Sequence, residues 1–332
     1  MDVLERLAIG KNLTEEEALE SFRAMYRGDM PASCVGAFLM GLKTKGETSM
    51  ELACGVRAAL EEARLVQGLS GKRIDTCGTG GDNKCSFNCS TAVALTLAAM
   101  GYDVVKHGNR AVSSSCGSAD IVEALGLPLV VEPDAVPAEL AKNHFVFLFA
   151  PNFHPVFKRI MPIRKELGAR TLFNLMGPLL NPARPTHQLL GVPTARFVPL
   201  LAEALNLTGL QKGAVVHGHG GFDEISPFGP ADVMWVKDGW MRKDLIDPKD
   251  YGFGAHKQSD VVVSGRDEAL GVITELLSGK GPEAMRDMIV LNLGVCLHLL
   301  EDDLPLRDAF EKGMEAVKAG VAAKVFPNVI NA

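Results

Sequence analysis

Asp75-Thr76-Cys77-Gly78-Thr79-Gly80-Gly81-Asp82 follows a short apolar lead and runs, through Asn88, Ser90 and Thr91, into the apolar helical pattern Ala92 to Met100. Three glycines in four residues let backbone N–H groups converge on an anion with no Cβ in the way. The helix start that follows adds unpaired amides and the positive end of a dipole. Such a loop is suited to a multiply charged phosphate. It is not a nucleotide P-loop, because no Gly-Lys-Ser/Thr follows, and Gly-x-Gly-Gly-Asp lacks the spacing of a dinucleotide fingerprint. Read alone it is equally a tight strand-to-helix turn. A second cationic, glycine-containing turn, Lys106-His107-Gly108-Asn109-Arg110, leads into the hydroxyl run Ser113, Ser114 and Ser115. Two such turns close together suggest a substrate with two phosphate groups.

Around this stretch the pattern changes character. The first 70 residues read as helices only: Thr14 with Glu17 and Thr48 with Glu51 form capping-box pairs, the latter opening a run to about Leu65, and Pro31 stands at a first helical position. From Arg73 onward short β-branched or aromatic runs (Asp103 to Val105, Phe145 to Phe149, Ala214 to Val216) alternate with helical ones, which predicts an α/β domain with a largely parallel sheet. His154 to about Pro185 is helical again, rich in Arg and Lys, and predicts a return to the helical domain. Val233 to Val236 and Trp240 to Lys243, joined through Asp238-Gly239, predict an antiparallel hairpin, and the tail from Arg266 to Ala323 is helical. The expected division is a small all-α domain of residues 1–70 with about 154–185, and a large α/β domain of 71–153 with about 186–332.

Bulk properties bound the function. At 332 residues, 47% hydrophobic and 22% charged, the chain is long enough for two domains and has globular composition. A net charge of −6 argues against a broad nucleic-acid-binding face, so any phosphate site is local. No apolar run approaches the roughly 20 residues of a membrane span, and Met1 to Arg6 lacks a signal-sequence pattern. The expected location is the cytoplasm. Seven cysteines with no Cys-x-x-Cys pair favour neither a disulfide framework nor a zinc site; reduced, mostly buried thiols are expected.

Asp223-Glu224 lies in a glycine-rich loop after a buried-looking strand. Adjacent acids repel unless solvated or neutralised, and Mg²⁺ carrying substrate phosphates is held by one or two carboxylates together with waters. Both readings fit the spacing. His217 and His219 alternate at the strand end, but no third ligand accompanies them for a transition metal. Arg159, Arg164, Lys165 and Arg170 sit on the stretch Phe157 to Arg170, where spacing alone cannot choose among them, although a bidentate arginine suits a planar carboxylate.

Taken together, Gly78 to Asp82, Asn88 with Ser90 and Thr91, Lys106 to Ser114 with Gly117-Ser118-Ala119-Asp120, Phe147 to His154, Arg164 through Arg170-Thr171 to Pro178, and Asp223-Glu224 resemble the anthranilate phosphoribosyltransferase family of tryptophan biosynthesis. The resemblance implies a nucleoside phosphorylase/phosphoribosyltransferase-like fold, a homodimer through the helical domain, association with anthranilate synthase, and an active site in the hinge cleft. It places phosphoribosyl pyrophosphate against Gly78, Gly81, Asp82, Ser86, Asn88, Cys89, Ser90, Thr91, Lys106, His107, Gly108, Asn109, Arg110, Ala111, Val112, Ser113, Ser114 and Ser118. Mg²⁺, as two ions, would be held at Ser90, Asp223 and Glu224, and anthranilate at Gly78, Asn109 and Arg164. Catalysis would rest on positioning and electrostatics, with His107 and His154 as the candidates for a proton-accepting role. The chain departs from the family at Asn83-Lys84-Cys85, where glycine is usual, and at Ser115, where lysine is common. The alternatives are a pyrimidine-nucleoside phosphorylase of related fold, which needs no acidic metal pair, and a non-catalytic nucleic-acid-binding relative, which needs a basic groove.

Overall fold

Short buried runs alternate with helices from Ile74 onward, and they assemble one mixed sheet. The computed structural model describes residues 2–81, 84, 86–110, 117–129, 132–302 and 304–326. The strands are β1 (Ile74–Gly78), β2 (Val104–Gly108), β3 (Phe145–Phe149), β4 (His187–Gly191), β5 (Lys212–His217), β6 (Ala231–Lys237) and β7 (Trp240–Ile246), in the order β3-β2-β1-β4-β5-β6-β7. β3, β2, β1, β4 and β5 are parallel; β6 and β7 add the antiparallel hairpin, turned at Asp238 and Gly239, both with positive φ. The chain leaves β1 towards β2 and comes back on its other side at β4. Their carboxyl ends therefore open a crevice at a topological switch point, the usual place for ligands in open α/β sheets.

Two-residue periodicity divides the core between two layers. In β4 and β5, Leu189, Ala214 and Val216 face one cluster, built with the helices Cys89–Ala99, Arg266–Leu277 and Glu283–Leu300. Leu190 and Val215 face the other, built with the amino-terminal helices and the helix Phe197–Leu207. Parallel strands covered on both faces lose the polar alternation of a surface strand. β4 is absent from the strands that the pattern predicts because it opens with two polar residues, His187 and Gln188. Both are buried: His187 Nδ1 meets Thr186 Oγ1 at 2.8 Å while its Nε2 has no partner, and Gln188 Nε2 donates to the Pro178 carbonyl at 2.6 Å.

The amino-terminal half follows its local signals. Thr14 and Thr48 each accept from the backbone N–H three residues on, and Glu17 and Glu51 reach back to close both capping boxes. The fourth helix stops at Glu61, short of the expected Leu65, and Pro31 takes the N-cap position of Ala32–Lys45. The segment after His154 is less regular than its composition suggests. A helix Phe157–Leu167 ends at Gly168 in the left-handed conformation, and a short turn Phe173–Met176 follows. Ile160, Leu172, Phe173 and Met176 share one core with Phe22, Tyr26 and Phe38 of the amino-terminal helices. No helix among the described residues is long and apolar enough to cross a membrane.

A buried ion pair locks the helical half. The Lys45 and Glu51 side chains are 1% and 0% exposed and meet at 2.7 Å, while Glu51 also accepts from the backbone of Leu13 at 3.0 Å and Thr48 at 2.9 Å. Removing one partner leaves an uncompensated buried charge, so Glu51→Leu is expected to lower the unfolding free energy by about 3 to 5 kcal/mol in urea denaturation. A loss below about 1 kcal/mol would show the pair to behave like a surface one.

Candidate active site

Three strand-end glycines make the room in which the acidic loop sits. A Cβ on Gly78, at the end of β1, would lie 2.2 Å from Asp223 Oδ2. One on Gly191, at the end of β4, would lie 1.4 Å from the Asp223 carbonyl oxygen, and one on Gly218, just beyond β5, 1.9 Å from that of Glu224. Asp223-Glu224 is thereby threaded across the switch point. The glycine loop closes over it: Thr79 N–H donates to the Gly191 carbonyl at 2.9 Å and Gly80 N–H to Asp223 Oδ2 at 3.1 Å. Gly80 and Gly81 have φ of 67° and 77°, which a residue with a side chain adopts only at a cost.

Behind this loop lies a buried charged layer. Lys106, 2% exposed, donates to the Thr76 carbonyl and to Ser90 Oγ, the latter at 3.2 Å. Burial pulls its pKa down and Asp75 pushes back. Asp75 is itself raised to about 6 by burial, against Lys106 and the Asn181 amide, whose Nδ2 donates to Asp75 Oδ2 at 2.8 Å. Burial drives the Cys77 and Cys89 thiols well above their ordinary range, the opposite of a reactive thiolate. A small cavity lined by Thr76, Ser90, Asp223, Glu224 and Asn292 joins these groups. Among the described residues no cluster of three or more His, Cys, Asp or Glu side chains forms a complete cation cage. Two carboxylates and a hydroxyl beside an amide-lined loop are an incomplete oxygen set, which suits Mg²⁺ completing its shell with phosphates and water.

A run of rings leads from β2 into the helical half. His107 and His154 have centroids 5.3 Å apart, His154 stacks on Phe157 at 5.4 Å, and Phe157 meets Phe173 edge-on at 5.6 Å. The half-buried Arg164 guanidinium covers Phe173 at 4.9 Å. Burial, then His154, holds His107 well below its ordinary pKa, and burial holds His154 at about 4. Nε2 of His107 and both ring nitrogens of His154 make no hydrogen bond of good geometry, and the backbone of Gly177 and Leu180 only weakly opposes the effect of burial on the two rings.

The other expected residues have the following surroundings. Arg110 forms ion pairs with Asp120 at 3.0 Å and Glu123 at 2.8 Å. Cys89 Sγ points to the Met288 carbonyl at 3.7 Å, so only its backbone can face a ligand. Asn88 is the N-cap residue of Cys89–Ala99, in the left-handed conformation and with no side-chain capping bond. Arg170 lies beyond its helix, which ends at Leu167, and a Cβ on Gly81 would come within 3.0 Å of its guanidinium. Ser86 bridges Val262, Asn109 Oδ1 accepts from Arg110 N–H at 2.8 Å, and a Cβ on Gly108 would meet Ser118 Oγ at 2.7 Å. His217 Nδ1 contacts the Val192 carbonyl at 2.9 Å. Asp82, Asn83, Cys85, Ala111, Val112, Ser113, Ser114 and Ser115 lie outside the described residues. Lys84 Nζ stands 5.7 Å from the Phe222 ring centroid, next to the acidic pair. Gly191, Asn181 and Asn292 are the contributors that sequence reasoning misses; a glycine closing a parallel strand is the signal for the first.

Comparison with known proteins agrees with this fold. Family models described as the helical bundle domain and the a/b domain of a glycosyl transferase family match residues 1–63 and 70–323. An anthranilate phosphoribosyltransferase of Nitratidesulfovibrio vulgaris is 54% identical over 328 residues, 97% of each chain. The crystal structure of that enzyme from Thermus thermophilus is 35% identical, with a TM-score of 0.91 over 100% of this chain and 99% of the other. The Saccharomyces cerevisiae enzyme in complex with PRPP and Mg is 27% identical, with a TM-score of 0.88 over 99% of this chain and 96% of the other. In complex with 4-fluoroanthranilate the yeast enzyme gives 25% and 0.86 over 99% and 95%. With near-complete coverage by a relative at 54% identity and both domain models of the family matched, the chain belongs to the anthranilate phosphoribosyltransferase family.

Proposed function

We propose that the switch-point crevice transfers the 5-phosphoribosyl group of phosphoribosyl pyrophosphate to the amine of anthranilate, giving N-(5-phosphoribosyl)anthranilate and pyrophosphate in tryptophan synthesis. The observation that carries this reading is Asp223-Glu224 held against the glycine loop by Gly78 and Gly191. The donor's pyrophosphate lies on the amides of Gly78 to Gly81 and of the helix start at Ser90 and Thr91. Asn88, Lys106 and Ser118 border it. Ser90, Asp223 and Glu224 hold Mg²⁺, in two ions, which when bound offsets the charge of the diphosphate. The helical unit, 1–70 with about 154–185, closes on the α/β unit and carries the dimer contact.

The C1–O bond breaks with its electron pair leaving on pyrophosphate, and the amine lone pair forms the C1–N bond. Loop N–H groups aimed at the departing oxygens stabilise that charge, each worth roughly 3 kcal/mol by analogy with oxyanion-hole donors. Arg164 takes the anthranilate carboxylate in a bidentate pair, helped by its partial burial, with Asn109 and Gly78 orienting the ring. The His107, His154, Phe157 and Phe173 rings exclude water that would hydrolyse the cation-like ribose. The arylammonium product sheds its proton to water; neutral His107 and His154 add no repelling charge next to C1.

Purified protein is expected to consume anthranilate fluorescence only with phosphoribosyl pyrophosphate and Mg²⁺ both present; no loss of signal from folded protein rejects the reading. Arg164→Ala is expected to raise the anthranilate KM by about tenfold or more and the donor KM by far less. Equal effects on both would remove its assigned role. Stability carries a further signature. An unfolded histidine titrates near 6.5 and folded His154 near 4, so acidification protonates the unfolded chain first and stability is lost as pH falls across that window. His187, also held near 4, acts in the same direction, while Asp75, raised to about 6 from 3.8, acts in the opposite one. His154→Leu therefore flattens the pH dependence of the unfolding free energy by about 1 kcal/mol per pH unit between about pH 6 and pH 5. An unaltered slope would show that His154 is protonated in the fold.

A further inference from the structure

The helix Glu283–Leu300 runs behind the acidic loop, and Asn292 is the polar side chain that it places there, 2% exposed. Its Oδ1 accepts from Ile225 N–H at 3.0 Å, and its Nδ2 donates to the Ile225 carbonyl at 2.9 Å and to the Met288 carbonyl at 2.8 Å. The amide orientation is dictated, because a flip would set donor against donor and oxygen against oxygen at Ile225. Nδ2 also approaches Cys89 Sγ at 3.8 Å, while that sulfur faces the Met288 carbonyl at 3.7 Å. Ile225 directly follows Glu224, and Cys89 directly precedes Ser90. One buried amide therefore touches both segments that bear the proposed Mg²⁺ positions, and it lines the same cavity as Ser90, Asp223 and Glu224.

We infer that Asn292 is a positioning residue for phosphoribosyl transfer: by clamping both sides of Ile225 against the start of the helix Cys89–Ala99, it sets the spacing of Asp223 and Glu224 from Ser90. The inference rests on the assignment of those three residues to Mg²⁺ above. It follows from the number of restraints. The glycine slot decides where the acidic loop passes, yet a loop held only by its own backbone can slide or rotate by fractions of an ångström. Two hydrogen bonds to Ile225 from one rigid helix remove that freedom. Supporting groups of this kind typically change metal affinity about 10- to 100-fold when lost.

The test is calorimetric titration of the full chain with Mg²⁺ and inorganic pyrophosphate, alongside steady-state kinetics, for wild type, Asp223→Asn, Asn292→Leu and Asn292→Ser. Asn292→Leu is expected to weaken Mg²⁺-pyrophosphate binding by about tenfold or more. Half-saturating Mg²⁺ in turnover rises in parallel, while the anthranilate KM stays within about twofold. A merely structural role would lower Tm and leave pyrophosphate affinity of the folded variant unchanged, which overturns the inference. Should Asp223→Asn also leave binding unchanged, the metal assignment itself is wrong and the inference falls with it. Asn292→Ser, which is smaller and polar, serves if the leucine variant does not fold. If neither folds, hydrogen exchange on the wild type decides: a slowly exchanging Ile225 amide supports the clamp, and one exchanging like an open loop removes it.

Discussion

The site depends on a steric permission. The Asp223-Glu224 segment crosses the carboxyl ends of β1, β4 and β5 at distances that no Cβ tolerates, with the Asp223 side chain over Gly78 and the backbone over Gly191 and Gly218. At Gly191 and Gly218 the contact is with backbone carbonyls, so side-chain adjustment cannot relieve a substitution there, whereas at Gly78 it is with the Asp223 carboxylate. The same closeness brings a carboxylate to within hydrogen-bonding distance of the loop amide of Gly80. Negative side chains and anion-binding amides thus share a few ångströms at the switch point. That pairing is the one the proposed function has a cation and a polyphosphate take over.

Charge balance beneath the loop follows from burial. Lys106 is the cation placed among Asp75, Glu224 and two thiols, and its hydrogen bonds to Thr76 and Ser90 hold it under β1. In low dielectric each of these charges is worth more than it is at the surface, and each is costly when left alone. Raised Asp75 and lowered Lys106 are two expressions of that cost. On the other side of β2 the cost is avoided altogether: His107 and His154 stay neutral, stacked among rings, and form a dry wall.

The two halves of the chain are joined by packing at this wall. Tyr26 meets both Phe157 and Phe173, so the amino-terminal helices and the segment that carries Arg164 share one core. Arg170 then reaches the glycine loop at Gly81, and Lys43 donates to the Arg170 carbonyl. The segment that carries Arg164 and the glycine loop are thereby tied to one helical core.

By itself the sequence determined what depends on spacing of a few residues: the capping boxes at Thr14 and Thr48, the Asp238-Gly239 hairpin, the α/β alternation after Arg73, the anion-suited glycine loop and, through its motif order, the family. Each is a local signal, readable because a turn, a cap or a helix face is built from neighbours. The tertiary structure alone decided which distant residues meet. Asp223 reaches Gly80 across 143 residues, and Asn292 reaches Ile225 across 67. Arg110 is taken by Asp120 and Glu123, and Arg170 leaves its helix because Gly168 turns the chain. Those meetings depend on strand order and on the crossing of helices over the sheet, which fix distances through the packing of the whole chain, and no local spacing encodes them.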